Sequence, residues 1–122
     1  MKFLLMTGIL FSLNTMAAEY DCRSIKKDQA TLSIQQNRVE WYDRSHSASS
    51  LAKYTGIDTA PYSPQKGYYV FDLVNFYRTE DSNFWLKLPP NYQTQKTIKV
   101  YEGFNNDGHD ESMELYVCNR VK

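Results

Sequence analysis

The chain reads as an all-β domain: a small antiparallel β-barrel or sandwich of six to eight strands, closed by one N-to-C-terminal disulfide. Three observations predict this. Aromatic and β-branched residues dominate residues 19–122, where all ten tyrosines and both tryptophans lie, and such side chains suit pleated, half-buried surfaces. No stretch there repeats at the helical period, whereas several alternate with a period of two. The only two cysteines stand at opposite ends, in the matching triplets Tyr20-Asp21-Cys22 and Tyr116-Val117-Cys118.

Residues 1–18 have the order of a secretory signal peptide: a charge at Lys2, an apolar centre from Phe3 to Leu13, and small Ala17 and Ala18 before Glu19. The apolar run is interrupted by Ser12, Asn14 and Thr15, so it is too short for a membrane span of about 20 residues. Cleavage after Ala18 is expected, leaving one β domain over residues 19–122 in the periplasm or outside the cell. In an oxidising compartment Cys22 and Cys118 are expected to bond to each other rather than bind metal. The whole chain carries 14 basic and 14 acidic residues, and loss of Lys2 leaves one net negative charge. That balance lacks the basic excess of a nucleic-acid or anionic-membrane binder.

The strands can be placed in order. Residues 20–23 open the domain. Ala30, Leu32 and Ile34 alternate with Thr31, Ser33 and Gln35, and Gln36-Asn37 turns into residues 38–42, where Val39 and Trp41 share a face. Residues 43–66 look irregular, with a run of serines and then Pro61 and Pro64, and a long loop of this kind is often functional. At most a short strand or turn is expected near residues 51–54. Residues 67–77 are apolar on both alternating faces and predict a central strand covered on both sides. Phe84, Leu86 and Leu88 face inward until Pro89-Pro90 ends the strand. Ile98 and Val100 face inward next, and the last strand is expected to turn Met113, Leu115, Val117 and Val121 to the core.

Chemistry-bearing motifs are sparse. His46 and His109 lie in polar loops outside any nucleophile or zinc motif. Asp72 is the acidic residue embedded in an apolar strand, and a structural hydrogen bond is its expected role. Around Gly108, Asn105, Asp107 and Glu114 fall at positions 3, 5 and 12 of a calcium loop. Position 1 would be Gly103, which has no ligand, so an exposed hairpin is expected at residues 105–111. No catalytic residue, metal or cofactor is assigned. Trp41-Tyr42 and Trp85 could stack on sugar rings, but Trp41 shares its face with Val39 and reads as core. Trp85 alternates against Phe84 and Leu86 and is the candidate outward-facing glycan contact. The stretch from Ser47 to Gly56 offers hydroxyls, one lysine and a tyrosine that can dock on another protein. Ser47, Ser49, Lys53 and Tyr54 are its candidate contacts.

At these residues the chain resembles the periplasmic and membrane-bound inhibitors of c-type lysozyme. Tyr20-Asp21-Cys22, Cys118, the run from Ser47 to Tyr54 and the aromatic stretch Gly67 to Phe71 stand in the order that family shows. It departs at Ser50, where the family has glycine, and at Lys66-Gly67, which precedes the aromatic strand instead of following it. The resemblance implies a small exported antiparallel barrel in which a loop serine and a lysine from a second loop enter the cleft of a lysozyme and engage its catalytic carboxylates. The expected function is therefore a secreted, non-enzymatic and monomeric binding domain, with inhibition of a lysozyme-like cell-wall hydrolase its sharpest form. A carbohydrate or envelope-component binding module using exposed aromatics is the alternative, and a small hydrolase comes third.

Overall fold

Eight strands follow one another around a closed antiparallel barrel in the computed structural model, which describes residues 17–36, 38–74, 82–106 and 110–122. They are β1 (Ala18–Ser24), β2 (Gln29–Gln35), β3 (Arg38–Asp43), β4 (Ala48–Ile57), β5 (Tyr69–Val74), β6 (Ser82–Leu88), β7 (Thr97–Asn106) and β8 (Asp110–Arg120). Each strand pairs with the next, and β8 returns to pair with β1. Closure leaves no edge strand among them. Most of the expected signal peptide lies outside the described residues; Ala18, its last residue, opens β1 opposite Ile34.

The disulfide sits on the seam that closes the barrel. Cys22 and Cys118 are register partners across β1 and β8, 96 residues apart in sequence, and both are fully buried. A disulfide fits an extracellular or periplasmic location.

One face of each strand fills the interior. Tyr20, Leu32, Ile34, Trp41, Leu73, Leu86, Leu88, Val100 and Tyr116 are all essentially sealed from solvent. The Trp41 and Tyr116 rings meet edge to face at 5.0 Å, an arrangement aromatic quadrupoles favour. Tyr20 donates its hydroxyl to the carbonyls of Tyr92 (2.7 Å) and Gln95 (2.8 Å), which holds the β6–β7 connection across one mouth of the barrel.

Three expectations need correction. First, residues 48–57 form a ten-residue strand in place of an irregular loop. Its inward residues are small, Ala48, Ser50 and Ala52, because bulky Trp41 and Leu73 lie opposite Ser50 and Ala52. Small–large pairing of this kind fills a narrow barrel but disguises the period of two. Second, β8 has the opposite phase: Tyr116 and Cys118 face in, while Met113, Val117 and Val121 are exposed. The disulfide fixes that phase, since Cys118 must share the interior with Cys22. Third, β5 is covered on one side only. Phe71 and Leu73 are buried and Asp72 is exposed on the outer wall.

The proline-containing segment after β4 is tied down. Gly67 N donates to Asp58 O, Asp58 N donates to Tyr68 O, and Lys87 Nζ reaches Asp58 Oδ2 at 2.8 Å. The Asp58–Lys87 pair is largely buried. Hydrogen bonds from Lys87 and Ser63 hold the Asp58 carboxyl down at about 2.

Candidate functional site

Outward-facing side chains of β2, β3 and β4 form rows across the wall. Thr31, Tyr42 and Ser49 are aligned by the strand registers, as are Ser33, Glu40, Leu51 and Val74. A hollow of about 530 Å³ lies over these rows, bounded also by Arg38. A second hollow of about 410 Å³ adjoins it, lined by Gln35, Gln36, Lys53 and Tyr54, and the two share Arg38 and Leu51. Leu51 (43% exposed) and Tyr42 (41% exposed) offer apolar area between polar neighbours. Arg38 Nε lies 2.7 Å from Glu40 Oε2 with both side chains solvated, a pairing worth under about 1 kcal/mol and easily exchanged for a partner's charge.

The candidate contact residues are therefore only partly brought together. Ser49 and Lys53 both face outward, separated by about 13 Å of strand, and flank Leu51. Tyr54 is on the opposite alternating face, at the barrel mouth, where its ring meets Tyr69 (5.9 Å) and Phe71 (5.7 Å). Ser47 stands apart in the β3–β4 turn, with a left-handed φ of 53°. Ser50 is buried and donates to Val74 O at 2.6 Å.

Trp85 does lie on the outer side, in the row Lys53, Asp72, Trp85, Gly103, Met113, but it is half-buried. Its indole covers Gly103, where an added Cβ would overlap the six-membered ring. Lys87 Nζ stands 5.1 Å from the ring centre, within cation–π range. We expect Gly103→Ala to push the indole off the wall and to cost about 1–3 kcal/mol, the usual penalty for overpacking. Because Trp41 is sealed in the core, iodide quenching reports Trp85, and it should rise clearly in the variant. Unchanged quenching and emission would contradict this packing.

A second polar group lies inside the barrel and was missed in the sequence. Glu102 accepts from Trp41 Nε1 at 3.2 Å and from the Tyr116 hydroxyl at 3.3 Å. Its cross-strand partner is Glu114, one of whose oxygens is buried without a hydrogen-bond partner. Burial, then the nearby charge of Asp43 and more weakly Glu114, raises the Glu102 carboxyl to about 7 despite those two donors. Burial also raises the Tyr116 phenol, so it stays a donor. Asp43 is itself buried and binds the backbone N (3.1 Å) and Nδ1 (3.0 Å) of His46, which raises that imidazole. The signal for Glu102 was its parity: it follows Ile98 and Val100 on the same alternating face.

Asn105 and Asn106 belong to β7, paired with Glu111 and Asp110, and residues 107–109, with His109, lie outside the described residues. Among the described residues no group of three or more His, Cys, Asp or Glu side chains could hold a metal ion, and no helix is long and apolar enough to cross a membrane. Comparisons with protein-family models, curated proteins and solved structures give no match.

Proposed function

We propose that this chain is an exported, non-catalytic binding protein that presents the outer wall of β2–β4 to a protein partner, and that the partner is a lysozyme-like cell-wall hydrolase. The observation that carries the binding reading is the pair of hollows meeting at Arg38 and Leu51. An exposed leucine and tyrosine ringed by hydroxyls and opposed charges matches the composition of protein interfaces, where aromatic and Arg anchors sit within a polar rim. The hydrolase reading rests on the resemblance carried by the Tyr-x-Cys ends and by Ser47 to Tyr54. A strand hydrogen-bonded on both sides does not lift out into a cleft, so the contact is made face-on, with Ser49, Leu51 and Lys53 against the rim of the enzyme's groove. Glu102, held on both oxygens by core side chains, is read as structural.

The test is lysis of cell-wall suspensions by c-type lysozyme in the presence of the purified mature protein. Inhibition should be dose-dependent. Leu51→Asp should raise the half-inhibitory concentration by about 30-fold, as loss of a central anchor does, and Lys53→Ala by a smaller factor. No inhibition at large molar excess would sink the hydrolase reading.

A further inference from the structure

We infer that the barrel mouth beside Tyr54 is a binding site for a neutral pyranose ring, such as the terminal unit of a glycan. The hollow there, about 270 Å³, is lined by Gln36, Val39, Tyr54, Tyr69, Phe71, Tyr92 and Gln93. Its size suits one ring, being just below the range of pockets that take drug-sized ligands. None of these side chains is charged, so the hollow does not select an anion or a cation. Its lining combines aromatic surface with groups that both donate and accept.

Aromatic rings bind the C–H faces of a sugar, and carboxamides match vicinal hydroxyls because each amide donates and accepts at once. Tyr54, Tyr69, Phe71 and Tyr92 form a continuous edge-to-face cluster with centroids 5.7–5.9 Å apart. Tyr92 and Phe71 are buried and make its floor, while Tyr54 stays 54% exposed at the edge. Burial, with Tyr69 and Tyr54 nearby, raises the Tyr92 phenol and keeps it a donor. Gln36 is held at the rim by a left-handed φ of 54°. The floor is fixed from below, since the Tyr92 carbonyl accepts the Tyr20 hydroxyl at 2.7 Å. The site is thus preorganised, with Tyr54 the exposed face on which the ring stacks.

This site is distinct from the protein-binding wall, although Gln36 and Tyr54 border both. Calorimetric titration of the mature, disulfide-bonded protein with chitotriose, cellotriose and maltotriose tests it. At least one should bind with a Kd at or below about 1 mM. Tyr54→Ala and Gln93→Ala should each weaken that binding by about tenfold or more, whereas Tyr54→Phe, which keeps the ring, should stay within about threefold. Leu51→Asp should leave saccharide binding unchanged while weakening hydrolase inhibition by about 30-fold, which separates the two sites. No binding of any of the three at about 10 mM, or binding insensitive to Tyr54→Ala in a folded variant, would overturn the inference.

Discussion

Replacing both Cys22 and Cys118 by alanine is expected to remove about 3–5 kcal/mol of stability, the largest effect of any change considered. The bond closes a loop of 96 residues, and on the chain-entropy model a loop near that length restricts the unfolded ensemble by roughly 4–5 kcal/mol. It also joins register partners on the β1–β8 seam, where strands from opposite ends of the sequence must meet. Without it, that seam depends on ladder hydrogen bonds and on Tyr20 and Tyr116 beside it. The double alanine variant is preferred to serine because both positions are fully buried and a hydroxyl there would lack a partner. For a domain near 100 residues the loss corresponds to a fall in Tm of at least about 12 °C. Calorimetric scans of both forms measure it, and a fall of only a few degrees would show that the barrel closes without its staple.

The second large effect is on pH dependence and centres on Glu102. Its folded pKa, about 7, lies above its ordinary 4.5, so between those values the folded chain holds a proton that the unfolded chain has released. Stability attributable to this group therefore falls as pH rises through that window and levels off above it. The shift corresponds to about 3 kcal/mol at most. Glu102→Gln keeps an acceptor oxygen for Trp41 and places an amide N–H against the Tyr116 hydroxyl, which can turn to accept it. Without the charge, the variant should gain on wild type as pH rises. The difference in unfolding free energy between the two should change by about 2–3 kcal/mol from pH 4 to pH 8. Taking the difference cancels the opposite contribution of Asp58, whose lowered pKa gives stability that is lost as pH falls from about 4 toward 2. A difference that stays constant with pH would show that Glu102 is not desolvated as described.

Much of this fold was legible because side-chain alternation survives in strands with one apolar face. Leu32 and Ile34, Val39 and Trp41, Leu86 and Leu88, and Ile98 and Val100 all face the interior as their parity predicts. Legibility failed where composition masked parity. In β4 the interior needs small residues beside Trp41 and Leu73, so Ser50 and Ala52 read as loop. In β8 aliphatic residues lie outside and Tyr116, Cys118 and Glu114 carry the other phase, so counting aliphatics chose the wrong face. The cysteine pair held the correction, because its two members must meet inside. The candidate site was half legible for the same reason. Ser49 and Lys53 read as loop contacts, yet they lie on the wall because β4 pairs regularly up to Tyr54, where its register shifts, and their neighbours Arg38, Tyr42 and Leu51 come from the barrel's register. Trp85 was placed correctly on the outside, but its partner Gly103 is distant in sequence and could not be paired with it.

Mapping the interface on isotope-labelled protein tests the central claim most directly. Titration with c-type lysozyme, followed by backbone amide spectra, should perturb residues 31–33, 38–42 and 49–53 together, with residues 97–101 of β7, across the barrel from β3, unaffected. Perturbations confined to the barrel ends, or none at saturating lysozyme, would contradict a partner-binding wall on β2–β4.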